Sequence, residues 1–463
     1  MKTIEEILKQ VSEKVTPSLE EKILIASAVD ATVNALRKAA RELEVDVEVE
    51  VEGSFAKDTW LSGDVDVDIF LLFNPTVPLE ELRYNGLRIA KRGAELIRAT
   101  WTERYASHPY LTLNLDVCNV DVVPAYRVAS PAQIVSPVDR TPFHTLYVKN
   151  KLKANPELIK EVRLLKRFAK GVDVYGAEIK VEGFSGYLIE LLVIHYGSFL
   201  SVLEAAARWK PWVTILDPEK HYTDPREVLK KFREPFVVID PVDSNRNVAS
   251  PVSLENFCKF IAASRAFLRE PGIHFFYPTP LWSQNLQEEL KQRPVAAVKL
   301  TVPQLPEDVL WGQAKRAVKA LCKGLQRMGF VVFDKGIWTD GKTLVLVFEL
   351  ESLELPILEK HYGPPVYSNH DASFVSKYKG GNCVAGPYVE GEKWVVVRHR
   401  KIRGVREALA KLISSYNIGS FISSSAKEGG ELYLGEEVAR ASESEGYRSF
   451  LSEWLARRYP WLR

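Results

Sequence analysis

Only four cysteines, Cys118, Cys258, Cys322 and Cys383, are scattered through the 463 residues. That supply is too thin and too widely spaced for a zinc cluster or a disulfide framework, and it fits a reducing cytosol. No apolar run reaches the roughly 18 residues that suggest a membrane-spanning helix, and the start MKTIEEILKQ is amphipathic rather than a signal peptide. A cytoplasmic protein without a membrane span is expected. An excess of charge is missing too, with 62 Lys plus Arg against 60 Asp plus Glu. Nucleic-acid binding would therefore need cations gathered on particular surfaces, because steering follows local potential rather than the total. The chain has no internal repeat and no segment biased enough to require disorder. What is present is an ordinary soluble composition, 46% hydrophobic and 26% charged, and enough length for about two to four domains with real cores.

Apolar positions from Ser18 to Glu44 recur at helical spacing. VDVEVEVE then alternates, with Val45, Val47, Val49 and Val51 on one side, and it stops at Gly53-Ser54. VDVDIFLLF reads as a second strand, Leu79 to Thr100 as a helix, and LTLNLDVCNVDVVP as two more strand pieces ended by Pro124. We expect a multidomain α+β protein: a mixed-sheet catalytic domain at 1–145, a helical central domain at 146–255, an α/β domain at 256–390, and a basic C-terminal tail region at 391–463 containing the Ser/Gly-rich loop FISSSAKEGG.

The densest chemistry lies between Gly53 and Asp68. Asp66 and Asp68 in a strand are about 7 Å apart and share one face, while Val65, Val67 and Ile69 take the other. Two such carboxylates repel unless a cation compensates them, and hard oxygen donors favour magnesium. Gly53-Ser54 can turn tightly and offer backbone N–H groups and the Ser54 or Thr59 hydroxyl to a phosphate. A third carboxylate is expected on a neighbouring strand. Asp121, between Val120 and Val122, is the first choice, and Asp116 has the opposite register. Three such ligands could align an attacking oxygen with a triphosphate, which is phosphoryl or nucleotidyl transfer rather than acyl transfer. The alternative is a wet edge strand with ordinary glycine turns.

GSFAKDTWLSGDVDVD resembles the signature of the polymerase-beta-like nucleotidyltransferases. VEGSFAKDTWLSGDVDVDIFLLF, VDVVPAY, SPVDRTPFH, EVRLLKRFAK, VYGAEIKVEGFSGYLIELLVIHYGSF and DPVDSNRNVAS, in that order, resemble the archaeal-type, class I CCA-adding enzymes. That resemblance implies a polymerase-beta-like catalytic domain and template-independent addition of C, C and A to the transfer RNA 3′ end from CTP and ATP, with pyrophosphate release. It implies metal ligands at Asp66, Asp68 and Asp121 holding two magnesium ions, and triphosphate contacts from Ser54 and Thr59. Many relatives carry Glu at the position of Asp66, and either residue supplies a carboxylate. It also implies that His144, Lys166 and Tyr175 touch the incoming nucleotide's phosphates or sugar, and that Arg246 helps select the base.

By their own chemistry, Arg163 and Lys166 can share a helical face as a positive wall for a triphosphate, and His144 can donate to phosphate. An arginine near Asp240 and Asp243 is equally a natural salt-bridge member. RNA should be held by shape and backbone contacts. The candidate cations are Arg83, Arg88, Lys91, Arg92 and Arg98 in the first domain and Arg398, Arg400, Lys401, Arg403 and Arg406 near the C-terminus. Partners would be transfer RNA and nucleoside triphosphates, and the C-terminal hydrophobic surfaces allow a homodimer. A poly(A) polymerase or oligoadenylate-making enzyme shares the Gly-Ser and three-acid chemistry, and a non-enzymatic RNA-binding scaffold is the alternative from a different class.

Overall fold

The computed structural model describes residues 3–105, 109–283, 285–415, 421–422, 424 and 429–463. The chain forms two compact units, residues 1–280 with 458–463, and residues 281–457.

Hydroxyl caps start the first unit. Thr3 forms a capping box with Glu6 at the head of α1 (Ile4–Val15), and the Ser18 hydroxyl accepts from the Glu21 N–H at the head of α2 (Leu19–Glu42). There follow β1 (Glu48–Glu52), the single turn α3 (Gly53–Ala56), β2 (Asp66–Phe73), α4 (Leu79–Ile97), β3 (Thr100–Tyr105), β4 (Pro109–Asn114) and β5 (Asn119–Tyr126). The five strands make a mixed sheet in the order β1-β2-β5-β4-β3, with β2 and β5 parallel and the remaining pairs antiparallel. Helices α2 and α4 pack on one face, closing a core with Val67, Ile69, Leu71, Leu113, Val120 and Val122. The alternate residues of β2 and β5, including both strands' aspartates, are thereby left on the other face.

Pro124 does not end its strand. β5 continues to Tyr126, and β4 pairs with it only as far as Val122, so the missing N–H of proline falls where one side of the strand has no β4 partner. The strand β3, rich in charge and aromatics at the sheet edge, was not anticipated.

The unit continues with α5 (Thr141–Ala154), α6 (Glu157–Gly171), α7 (Gly186–Tyr196), α8 (Phe199–Ala206), β6 (Ile215–Leu216), α9 (Pro225–Lys231), β7 (Val237–Asp240), β8 (Asp243–Asn247) and α10 (Leu254–Arg269). The expected boundary at 145/146 cuts α5, and the one at 255/256 cuts α10. α10 belongs with the preceding helices, because Phe168 on α6 lies within 6.0 Å of Phe260 and 5.7 Å of Phe267, ring centre to ring centre. Trp461, from the chain's last residues, joins the same core. Helices α7 and α8 are apolar because they are buried there. Among the described residues no single helix is long and apolar enough to cross a membrane.

The second unit contains α11 (Leu286–Lys291), β9 (Val295–Thr301), α12 (Glu307–Met328), β10 (Val332–Thr339), β11 (Thr343–Leu350), β12 (Leu358–Pro365), α13 (Asp371–Lys379), β13 (Ala385–Glu390), β14 (Lys393–His399), α14 (Val405–Ser415), β15 (Glu431–Leu434) and α15 (Glu445–Ala456). Its sheets are β10-β11-β9-β15 and β12-β14-β13. An independent tail from residue 391 is ruled out by pairing: β14 is the middle strand of its sheet, and β15 adds to β9. Half of the expected Ser/Gly-rich loop at 421–430, residues 423 and 425–428, lies outside the described residues.

Candidate active site

The parallel register of β2 and β5 sets Asp66 opposite Asn119 and Asp68 opposite Asp121, while antiparallel pairing sets Glu52 of β1 opposite Asp68. Paired residues project to the same side of a sheet, so Glu52, Asp68 and Asp121 form a transverse row, with Asp66 two residues upstream on the same face. The Thr112 hydroxyl of β4 donates to Asp121 Oδ1 at 2.6 Å. Gly53 follows Glu52 with φ +70°, and a Cβ there would fall 1.8 Å from Asp68 Oδ2. Only glycine permits a turn this close to the carboxylate. Ser54 is half-buried in the same turn.

Burial, with Asp121 and then Asp66 and Glu52 acting in the same sense, pushes the Asp68 carboxyl up to about 7, against the pull of Lys57. Burial also raises Asp121 and Glu52. A row of carboxylates that resist ionisation is a site short of positive charge, and oxygen donors fit a hard divalent cation. Among the described residues no three His, Cys, Asp or Glu side chains are gathered tightly enough to cage a metal alone. An open arrangement suits magnesium, which is commonly shared between one or two carboxylates and substrate phosphates.

This arrangement predicts a metal-linked stability change. In metal-free protein Asp68 binds a proton more tightly folded than unfolded, so its contribution favours folding at low pH. That contribution declines by about 1.4 kcal/mol per pH unit from about pH 4 to pH 7. A cation bound to the ionised site reverses the loss. Magnesium should therefore raise the melting temperature more at pH 8 than at pH 5, relative to EDTA, and equal shifts at both would contradict a cation on these carboxylates.

Beside the turn, one fully buried carboxylate collects three partners. Glu190 of α7 accepts from Lys57 Nζ at 2.6 Å and the Thr59 hydroxyl at 2.5 Å, and Lys166 Nζ lies 3.5 Å away. Burial pushes Glu190 up, but Lys57 and Lys166 pull harder and hold it below the usual carboxylate range. Lys166 also donates to the Thr59 carbonyl at 3.0 Å, and burial drives it down to about 8 despite Glu190. Arg163 donates to the carbonyls of Trp60 and Asp58 and to the Asp58 carboxylate. The expected positive wall is therefore an internal brace. Arg163 and Lys166 are 4% and 2% exposed, because α6 buries that face beneath residues 57–60, and Thr59 is fully buried with its hydroxyl committed.

A second buried carboxylate, Asp240, bonds Arg246 and His144, and the Tyr187 ring stacks on His144 with centres 4.1 Å apart. Arg246 is thus a salt-bridge member that keeps a third of its side chain exposed. Tyr175 is half-buried, its ring 5.0 Å from Lys170 Nζ, and Glu190, Asp64 and Asp66 add to burial in raising its hydroxyl.

Sequence reasoning did not single out Lys57, Tyr187, Glu190 or Asp240 as site residues. Glu190 had a signal, since a lone acid inside the apolar run GYLIELLVIHY requires a buried partner.

The expected RNA cations are largely engaged. Arg83 pairs with Glu80, Arg92 with Glu42 and Glu95, and Lys91 with Glu103. Arg88 bonds Asn85, and Arg98 is the left-handed cap of α4 rather than part of it. Because α4 covers the sheet face opposite the aspartates, this patch is not on the carboxylate side. In the second unit Arg398 and Arg400 pair with Glu359, Arg403 with Glu354, and Arg406 with Glu437. Lys401 is exposed.

Three family models match in sequence order: "Nucleotidyltransferase domain" over residues 33–144, "tRNA nucleotidyltransferase, second domain" over 160–277, and "CCA-adding enzyme, C-terminal domain" over 291–435. The CCA-adding enzyme of Methanosarcina acetivorans is 36% identical over 97% of this chain and 98% of its own length. That of Pyrobaculum islandicum is 39% identical over 88% and 93% respectively. A solved structure of the Cid1 poly(U) polymerase resembles 57% of the chain and 94% of its own at 17% identity and TM-score 0.44, too loosely to bear on function. The mixed sheet with its glycine turn and facing acids is that of a polymerase-beta-like nucleotidyltransferase. Across both units the chain belongs to the archaeal-type CCA-adding enzymes, the nucleotidyltransferases that act on the transfer RNA 3′ end.

Proposed function

We propose that the protein adds C, C and A in turn to a transfer RNA 3′ end from CTP and ATP and then stops. The single observation that carries the chemistry is the row of Asp68 and Asp121, with Asp66 beside it, under the Gly53-Ser54 turn. At each addition the terminal 3′ oxygen bonds the α-phosphorus, the bond to the bridging oxygen breaks to release pyrophosphate, and the 3′-hydroxyl proton passes to solvent water. Asp66, Asp68 and Asp121 would hold two magnesium ions, which when bound supply charge stabilisation at the attacking and leaving oxygens. The Ser54 hydroxyl and the turn's backbone would meet the triphosphate. Lys57 and Lys166 carry one positive charge more than Glu190, and that excess partly offsets the neighbouring acids when an anion enters. For Lys166 the contribution is this field, since its ammonium is occupied by Thr59 and Glu190. As the family resemblance implies, Arg246 and His144 would contact the nucleotide, and Tyr175, close enough to Asp66 to feel its charge, would contact its phosphates or sugar.

Transfer RNAs ending before, within and after CCA, incubated with labelled CTP, ATP or both, test this reading. The missing residues should be added and addition should then stop. Repeated A addition to arbitrary RNA would instead identify a poly(A)-type enzyme.

A further inference from the structure

Asp240, the last residue of β7, is fully buried, and its two oxygens serve four partners. Oδ2 accepts from Arg246 Nη1 at 2.7 Å and lies 2.9 Å from His144 Nε2. Oδ1 accepts from the Tyr187 hydroxyl at 3.2 Å and from the Val242 N–H at 3.1 Å. Burial pushes this carboxyl up, yet His144, Arg246 and the Val242 N–H outweigh it and hold it down to about 2, so it is ionised throughout the working range. An ionised carboxylate only accepts. His144 Nε2 must therefore carry the hydrogen.

The other imidazole nitrogen follows by elimination. Burial lowers the affinity of His144 for a second proton, more than Asp240 restores and in the same sense as nearby Arg246 and Lys57. With Nε2 holding its hydrogen toward Asp240, the neutral ring presents a bare Nδ1. A bare imidazole nitrogen accepts a hydrogen bond from a hydroxyl and cannot donate one to a phosphate. In that form His144 would meet a sugar hydroxyl rather than a phosphate oxygen. The stack on Tyr187, itself tied to Asp240, fixes the ring plane.

We propose that Asp240, buried and acting through its partners, is the positioning residue for nucleotide choice. It holds the Arg246 guanidinium in one pose and His144 in the Nε2–H form with an accepting Nδ1. The inference rests on the reading above that Arg246 and His144 face the incoming nucleotide, and it adds the residue that sets both.

The isosteric change Asp240→Asn makes a sharp test. The Val242 N–H can only donate, so the new amide oxygen must stay toward Val242 and Tyr187, and the NH₂ must turn toward Arg246 and His144. That NH₂ donates to His144 Nε2, drives the hydrogen to Nδ1 and leaves Nη1 of Arg246 without an acceptor.

Full-length protein labelled with ¹⁵N-histidine reports the tautomer directly in long-range proton-nitrogen spectra, with the His144 signal assigned by its loss in His144→Gln. Wild type should show the Nε2–H form near pH 7, and Asp240→Asn should show the Nδ1–H form. Tyr187→Phe removes a donor from Oδ1 alone and should keep the wild-type form. On a transfer RNA lacking CCA, Asp240→Asn should reduce the preference for CTP over ATP at the first addition by at least about 10-fold. The change should fall more on KM than on kcat, the pattern of lost ground-state positioning.

A wild-type Nδ1–H tautomer overturns the proposal even if Asp240→Asn fails to fold. So does a folded Asp240→Asn that keeps both the tautomer and the nucleotide preference, or a tautomer flip in Tyr187→Phe. If wild type adds no C to transfer RNA, the functional reading fails, and the histidine spectra still decide what Asp240 positions.

Discussion

Replacing Asp68 by alanine is expected to lower the turnover of nucleotide addition by at least about 100-fold, the scale on which a well-placed electrostatic contact contributes to a transition state. Asp68 occupies the middle of the row, paired in register with Glu52 on one strand and Asp121 on the other, and the Gly53 backbone passes directly over its carboxylate. No neighbour can take over the position, because adjacent residues on β2 project into the α2-α4 core. The variant should nevertheless fold. In metal-free protein it loses a carboxyl that ionises reluctantly, so urea midpoints above pH 7 should be unchanged or higher than those of wild type. Single-turnover incorporation with saturating nucleotide and RNA reads the chemical step. A rate within a few-fold of wild type would remove Asp68 from the reaction centre. Asp66→Ala should behave similarly in turnover.

The largest stability effect is expected at Glu190. Glu190→Ala leaves the ammoniums of Lys57 and Lys166, whose side chains are only 7% and 3% exposed, with no carboxylate, and strips the Thr59 hydroxyl of its acceptor. Removing one partner of a buried ion pair costs about 3–5 kcal/mol, because the remaining charge stays desolvated. Urea denaturation should show that loss in the first unit. Glu190→Gln keeps the shape and one accepting oxygen, so it should cost less, while Lys57→Met in the Glu190→Ala background should recover part of the loss. A Glu190→Ala variant as stable as wild type would mean that water, not Glu190, satisfies the two lysines.

The catalytic strands were legible in the sequence because alternation at period two shows directly in letters such as VDVDIF and NVDVV. The same alternation assigns the aspartates to one face before any fold is known. Burial was not legible. Lys166, Arg163 and Thr59 read as solvent-facing cations and a free hydroxyl, and the structure turns them inward because Glu190 and two backbone carbonyls, distant in sequence, supply their partners. Spacing along one helix cannot reveal what packs against it. Domain limits failed for a related reason. The apolar face of α10 looks alike whether it opens a new domain or closes an old one, and only its ring contacts with Phe168 decide. The segments after residue 391 resembled a tail because the partners of β14 and β15 lie earlier in the chain.

The account depends on divalent cations being held by the row of acids where nucleotide meets RNA. Crystals soaked with manganese and CTP, measured for anomalous scattering, test that most directly. The expected result is anomalous density in contact with the carboxylates of Asp66 and Asp68, extending to Asp121 when a primer end is present, and absent in Asp68→Ala. Manganese bound to the triphosphate with no contact to any of the three aspartates would contradict it.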